Sequence, residues 1–115
     1  MQIRYKNAIL KSKHEFAWAL HFDRGRLDWE YEAVTFRSGR LSYTPDFALY
    51  SRTLFIEIKV WGAVRINRIE LCNLPLLLIF GTPARHYIRF KPAGTDRVLP
   101  GHFTSWQDAL QKVAA

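Results

Sequence analysis

The chain has one cysteine in 115 residues, Cys72, and no apolar run long enough to span a bilayer. One cysteine excludes an internal disulfide, and together with four scattered histidines it offers no zinc-site spacing. We therefore expect Cys72 to be a small core residue. Since a membrane helix needs about 18 consecutive apolar residues, no membrane association is expected.

Acidic residues are also scarce. Ten Asp and Glu stand against 17 Lys and Arg, which gives a formal charge of +7. Such a balance suits a polyanionic partner, because an excess of cations attracts phosphates. If the carboxylates of a site are set aside, still fewer acids remain to face the basic groups. A nucleic acid is therefore the partner that the composition favours.

The first residues are basic but lack the apolar core and cleavage site of a secretory signal, so we expect a cytoplasmic protein. No acid precedes Glu15, and residues 1–11 are predicted to be a basic arm, a short edge strand or a frayed terminus. The composition, 49% apolar and 15% aromatic, is that of a folded globule. This length supports one core, so residues 1–115 are predicted to form a single domain.

Capping residues predict a helix near each end of the chain. Ser12 and Glu15 fit the S-x-x-E capping box, which predicts a helix from about Lys13 to Arg24. Glu15 begins the face of this helix that is expected to meet the sheet. Ser105 with Asp108 fits the start of a last helix in the same way.

Strands are predicted over most of the remaining chain. Pro75 opens a wholly apolar run that ends at Gly81 and is typical of a central buried strand. Pro45 cannot donate to a ladder, so its strand should lie at an edge, be bulged or start afresh there. The segment after Gly62 is ambiguous, but its length and position favour a helix ending near Asn73. The other predicted strands are residues 27–36, 41–49, 53–61 and 85–91. The element order is α, three β, α, β, β, α, an α/β chain.

Asp46, Glu57 and Lys59 are charged residues set among the apolar residues of the predicted hairpin from Tyr43 to Gly62. Residues two apart in a strand point to the same face, so Glu57 and Lys59 share one face. The preceding antiparallel strand brings Asp46 beside them, where two carboxylates repel unless a cation lies between them. We expect that cation to be Mg²⁺, which prefers oxygen ligands, with Mn²⁺ as a substitute.

This arrangement suits hydrolysis of a phosphodiester. Lys59 is expected to orient a metal-bound water and to stabilise developing negative charge, while the metal lowers the pKa of that water. Glu15 adds a third carboxylate and a place for a second ion, although the capping box alone also explains it. For Asp46, Glu57 and Lys59 the alternative interpretation is a structural ion-pair cluster on a solvent face.

The same residues carry a resemblance. Pro45-Asp46, ten intervening residues and Glu57–Lys59, with Glu15 upstream, resemble the PD-(D/E)xK nuclease superfamily. Within it, the words EYE, YTPDF and IEIK followed by Trp61 are similar to phage-type endonuclease I Holliday-junction resolvases and to transposon end-cleaving nuclease subunits. The resemblance covers about residues 12–80.

The resemblance implies a fold and a set of roles. The fold is a restriction-endonuclease-like α-β-β-β-α-β core, a mixed central sheet flanked by helices, here with an extra C-terminal strand and helix. Asp46, Glu57 and the Ile58 carbonyl would be metal ligands, Lys59 the water-positioning residue and Glu15 an accessory ligand. A homodimer is implied because one core offers one site and a duplex needs two cuts.

The expected function is Mg²⁺-dependent cleavage of DNA, with branched or junction DNA as the implied substrate, in a bacterial or phage-infected cell. Two alternatives stay open: a non-cleaving nucleic-acid-binding or interaction module, and a nuclease subunit active only with a larger partner. Trp61 either lines the substrate groove or packs in the core. The residues predicted to follow a phosphate backbone are Lys13, Arg65, Arg68, Arg85, Arg89 and Lys91.

Overall fold

A mixed sheet of five strands forms the centre of the computed structural model, which describes residues 1–64 and 68–113. The strands in chain order are β1 (Ile3–Tyr5), β2 (Ala8–Leu10), β3 (Trp29–Tyr31), β4 (Phe36–Ser38), β5 (Leu41–Tyr43), β6 (Phe47–Leu49), β7 (Leu54–Lys59), β8 (Leu76–Thr82) and β9 (Arg85–Lys91). The central sheet has the order β3-β6-β7-β8-β9, with β7 and β8 parallel and the other neighbours antiparallel. The predicted α/β class with a mixed central sheet is confirmed.

Two helices, α1 (Lys13–Arg24) and α2 (Trp106–Val113), pack on one face of this sheet. The side chain of Ser12 accepts the backbone N–H of Glu15 at 3.1 Å, so α1 begins at the predicted cap. Ser105 accepts the backbone N–H of Asp108 at 3.1 Å in the same way. Both terminal helices are confirmed. Within the described residues, neither helix has the length and apolarity needed to cross a membrane.

The N-terminal residues form an ordered hairpin of β1 and β2, in which Ile3 pairs with Leu10. Leu10 is fully buried and Ala8 nearly so, and both belong to the core beneath α1. Residues 1–11 were predicted to be a basic arm, a short edge strand or a frayed terminus. The prediction of strand structure is therefore confirmed, and that of a frayed terminus is wrong.

The sheet has a separate apolar core on each face, because successive strand residues point to opposite sides. Ile56 and Ile58 of β7 face the two helices. Phe55 of the same strand faces a second core, which contains Cys72 and is covered by the β4–β5 hairpin and a short 3₁₀ turn, Ile69–Leu71. Cys72 is completely buried, as predicted.

Two predicted strands are broken. Residues 27–36 form β3 and the start of β4, and residues 41–49 form β5 and β6. Glu32 has a positive φ of 49°, which ends β3, and Pro45 lies at the break before β6, where its missing N–H costs no ladder bond. The β4–β5 hairpin thus leaves the central sheet and lies over its second face.

The predicted helix between Gly62 and Asn73 is wrong in its described part. Arg68 has a left-handed backbone with φ 66°, and the 3₁₀ turn spans only three residues. Residues 65–67 lie outside the described chain. An isolated helix of this length is marginal in water, and here Ile69 and Leu71 gain more by packing on the second core.

Gly81 in β8 fits only because it has no side chain. Its φ is +107°, and a Cβ there would lie 2.2 Å from the carbonyl oxygen of Arg85. We expect Gly81→Ala to lower the free energy of unfolding by about 3 kcal/mol or more, measured by urea denaturation. Gly94 has φ +73° with open space around it, so Gly94→Ala should lose only about 1 kcal/mol. Equal losses would contradict this account.

Candidate functional site

The break before β6 leaves the Asp46 carboxylate against the backbone of β7. Pairing of β6 with β7 begins at Phe47 and Ile56, so the next N–H along that edge, at Ile58, has no β6 residue opposite. Asp46 Oδ2 accepts this N–H at 2.7 Å. Because the N–H and C=O of a strand residue point to the same edge, the Ile58 carbonyl also faces Asp46.

Glu57 and Lys59 lie on the second face of the sheet, as their spacing predicted. Glu57 is buried, with 8% of its surface exposed, and the phenol of Tyr43 donates to its Oε1 at 2.7 Å. Lys59 Nζ lies 3.4 Å from Glu57 Oε2, with one third of its side chain exposed. Both oxygens of Glu57 are thus fixed by polar partners, and the ammonium group still reaches solvent.

The two acids are held in an environment that opposes their ionisation. Burial, and then the charge of Glu57, raises the pKa of Asp46 to about 9, although the Ile58 N–H acts in the opposite direction. Burial also raises the pKa of Glu57, against the opposing effects of Tyr43 and Lys59. Without a cation, the pair therefore tends to keep a proton.

Glu15 reaches the same end of the sheet from α1 and is buried. Its Oε1 accepts the backbone N–H of Lys11 at 2.8 Å and the phenol of Tyr31 at 2.7 Å. The return bond of the capping box thus goes to Lys11 and not to Ser12. Glu15 is also close enough to raise the pKa of Asp46. Its placement serves both the cap and the acidic cluster.

The acids do not form a ready-made centre of three carboxylates. In residues 1–64 and 68–113, no group of three or more His, Cys, Asp or Glu side chains is arranged to hold a metal ion. Of the predicted metal ligands, the Asp46 and Glu57 carboxylates and the Ile58 carbonyl lie in the hairpin. Glu15, the predicted accessory ligand, is engaged in two hydrogen bonds. The accessory-ligand role of Glu15 stays a prediction.

Three positioning residues were missed by the sequence analysis. Tyr43 holds Glu57, Tyr31 holds Glu15, and Glu32 links Lys11 to the site by an ion pair of 2.6 Å. The backbone N–H of Glu32 also donates to the carbonyl of Asp46 at 2.9 Å. Tyr31 and Glu32 belong to the EYE motif. This motif was part of the resemblance, but the sequence analysis assigned no role to either residue.

The residues predicted to follow a phosphate backbone differ in their exposure to solvent. Lys13, Arg68 and Arg85 are exposed, and Arg89 is half-buried with a bond to a loop carbonyl. Lys91 is a wrong prediction, because it is fully buried and donates to the carbonyl of Cys72. It lies opposite Leu76 on the second face, where the segment around Cys72 covers it. Arg65 lies outside the described residues.

Trp61 is exposed, so the interpretation that it packs in the core is wrong. Trp18 is fully buried in the core beneath the helices, as predicted, and Trp29 packs partly buried against the same core.

Comparison of the chain with protein-family models, with curated proteins and with solved structures gave no significant match in any of the three.

Proposed function

We propose that the chain is a metal-dependent DNA endonuclease with a restriction-endonuclease-like core of the PD-(D/E)xK type. The observation that carries the proposal is the bond from the Ile58 N–H to Asp46, beside the ion pair of Glu57 and Lys59. It brings the buried carboxylate of Glu57, the partly buried carboxylate of Asp46, one backbone carbonyl edge and one lysine to the same end of paired strands. Hydrolysis of a phosphodiester needs these groups together.

The connectivity supports this proposal. A helix precedes three antiparallel strands, β3, β6 and β7, and β8 then returns parallel to β7. This is the order that the resemblance implies, with β9 and α2 as the additional strand and helix. The chain departs from it between β7 and β8, where the described residues contain a 3₁₀ turn in place of a helix.

The donor set fits Mg²⁺, with Mn²⁺ as a substitute. Asp46, Glu57 and the Ile58 carbonyl offer the hard oxygens that such ions prefer. Burial raises the pKa of both acids, and the charge of Glu57 raises the pKa of Asp46 further; a bound cation would offset both effects. When bound, the ion would acidify a water molecule and neutralise charge on the phosphate.

The chain's own groups supply orientation and charge. Tyr43 holds Glu57 in one orientation, and the Ile58 N–H does the same for Asp46. Lys59 is partly exposed and stays within 3.4 Å of Glu57, so its other N–H bonds can hold a water or a phosphate oxygen. In that position it stabilises the negative charge that develops on the phosphate.

We propose DNA as the substrate, branched or junction DNA in particular, because of the +7 charge and the resemblance. A homodimer would supply two sites for two cuts, and a larger protein partner is the alternative source of activity. The proposed location is the cytoplasm of a bacterial or phage-infected cell.

Cleavage should be measured with the purified chain on plasmid, linear duplex, single-stranded, flap and four-way-junction DNA. We expect cuts with Mg²⁺ or Mn²⁺ and none in EDTA, with branched substrates cut fastest. No cut on any substrate, with or without candidate partner proteins, would contradict the proposal.

A non-cleaving binding module is the second candidate, because the +7 charge suits binding of DNA whether or not the chain cuts it. In that case binding should weaken steeply with salt, be unaltered by Mg²⁺ and persist in Lys59→Met.

A further inference from the structure

We propose that Trp61, Arg85 and Tyr87, here called the stacking platform, bind an unpaired nucleobase beside the site. This inference rests on the proposed function and deepens it. It names DNA with single-stranded nucleotides next to the cut as the substrate class.

The platform is an exposed aromatic surface with a cation on it. Trp61 follows the end of β7, with 47% of its surface exposed. Its ring meets Tyr87 edge to face, with centroids 4.8 Å apart, and the guanidinium of Arg85 lies 4.4 Å from the Trp61 centroid. A Cβ at Gly81 would come within 3.2 Å of the indole, so Trp61 lies directly against the backbone of β8. The ring is thus supported from behind and open to solvent.

The platform lies on the same face as the candidate site. Lys59 pairs with Phe80 and Phe80 pairs with Tyr87, so these three side chains form one row across three strands. Neighbouring strands are about 4.8 Å apart, which puts Tyr87 about 10 Å from Lys59. Stacked nucleotides rise about 3.4 Å each, so the platform would receive a base about three nucleotides from a phosphate at Lys59, or fewer in an extended strand.

This end of β9 is open, whereas the other end is covered. Arg85, Tyr87, Arg89 and Lys91 all point to the second face, because they are spaced by two. Lys91 is buried and Arg89 is bonded to Leu99, which leaves Arg85 as the exposed cation of this row.

The chemistry of the platform favours a nucleobase. Every base has a flat face that stacks on an indole or a guanidinium plane, and Arg85 also attracts the phosphate beside it. Bases inside a duplex are already stacked and paired, so they do not offer their faces to a protein surface. The platform therefore selects unpaired nucleotides, such as those of a flap or the centre of a junction.

Binding should be measured in EDTA, where no cut can occur, with a labelled 20-nucleotide single strand and with the blunt duplex of that strand and its complement. We expect Trp61→Ala to weaken binding of the single strand about 5- to 100-fold and of the duplex less than about 2-fold. Trp61→Phe should keep the single-strand affinity within about 3-fold, because the stacking face remains. Arg85→Ala should weaken both, the single strand more. Trp29→Phe, on the opposite face, is the matched control and should change neither affinity.

Quenching of tryptophan fluorescence gives an independent readout. Trp18 and Trp106 are buried, so quenching by the single strand should disappear in Trp61→Phe and persist in Trp29→Phe. Equal losses for both DNA forms in Trp61→Ala, or no loss for either, would overturn the platform. A change in the sedimentation of Trp61→Ala with unchanged DNA binding would assign the patch to a second copy of the chain and also overturn it.

The cleavage assay separates the two proposals. If the wild-type chain cuts flaps and junctions and Trp61→Ala cuts them at the same rate, the platform is contradicted and the nuclease function is not. If Trp61→Ala selectively loses single-strand binding but the wild-type chain cuts no substrate, the nuclease function is contradicted and the platform stands as a binding site.

Discussion

We expect cleavage of DNA to fall by about 10²- to 10³-fold in Lys59→Met, at saturating Mg²⁺, with DNA binding changed less than about 3-fold. Methionine keeps most of the side-chain volume but has no N–H to hold water or phosphate oxygen. The ammonium is positioned by Glu57, 3.4 Å away, and in the proposed mechanism its loss removes charge that is needed most in the transition state. Initial rates on plasmid DNA, measured under single-turnover conditions, check this result.

Lys112→Met is the matched control, since Lys112 is exposed on α2 and far along the chain from the hairpin. Its cleavage rate should stay within about 2-fold of the wild type. Thermal unfolding of both variants tests whether the fold is kept. A Lys59→Met protein that folds and cuts at the wild-type rate would contradict both the role proposed for Lys59 and the proposed mechanism.

We expect the metal-free protein to be more stable in Asp46→Asn. The pKa of Asp46 is raised to about 9 in the folded chain, against 3.8 for the ordinary group. Between these values the folded state binds more protons than the unfolded state, so this residue lowers stability as the pH rises from about 4 to about 9. Asparagine cannot ionise, its carbonyl still accepts the Ile58 N–H, and its amide can donate to the neighbouring acids.

We expect the free energy of unfolding at pH 8 in EDTA to be about 2 kcal/mol higher in Asp46→Asn, and the difference to shrink towards pH 4. For a domain of this size that raises Tm by about 8 °C or more. Mg²⁺ should stabilise the wild type and leave the variant unchanged, since a ligand stabilises the state that binds it. Asp28→Asn, an exposed control, should change stability by less than about 0.5 kcal/mol.

The opposite result would be equally informative. A less stable Asp46→Asn protein at pH 8 would mean that the carboxylate is held charged by its partners. That outcome would favour the structural ion-pair cluster over a metal site. The experiment therefore tests the main alternative for these residues without requiring any cleavage.

Stability and the proposed activity oppose each other in this site. Burial raises the pKa of both Asp46 and Glu57, and the charge of Glu57 adds to the cost of ionising Asp46. A chain selected for stability alone would place an amide or an apolar residue at one of these positions. The raised pKa values thus agree with a site built for a cation, which is the role that the sequence predicts.

Local patterns were sufficient for much of the fold. The bounds of α1 follow from Ser12 and Gly25, and the wholly apolar run after Pro75 and the alternating run of β9 were found where they were predicted. In each case the signal and the structure belong to the same short segment. The placement of Glu57 and Lys59 on one face also follows from the period of a strand.

The errors share one cause. The helix after Gly62, the unbroken strand over residues 27–36 and the exposed Lys91 were each predicted from a segment considered alone. The segment after Gly62 forms a 3₁₀ turn because it packs on the second face of the sheet. The strand over residues 27–36 is broken because the β4–β5 hairpin leaves the central sheet. Lys91 is buried because the segment around Cys72 covers that end of β9. Residues far apart in the chain make these contacts, so no local period reports them.

The sequence alone identified the groups that the proposal uses: Glu57 and Lys59 share one face of β7 because of the period of two, and a short turn brings Asp46, next to the start of β6, beside them. Only the tertiary structure decided how they are held. Tyr43 reaches Glu57 from a hairpin that leaves the sheet, and Tyr31 reaches Glu15 from the edge strand. It also left Trp61 exposed beside Arg85, because loop and hairpin cover the rest of that face. Hydrogen bonds and burial between distant segments depend on the whole fold, and one strand's pattern carries no record of them.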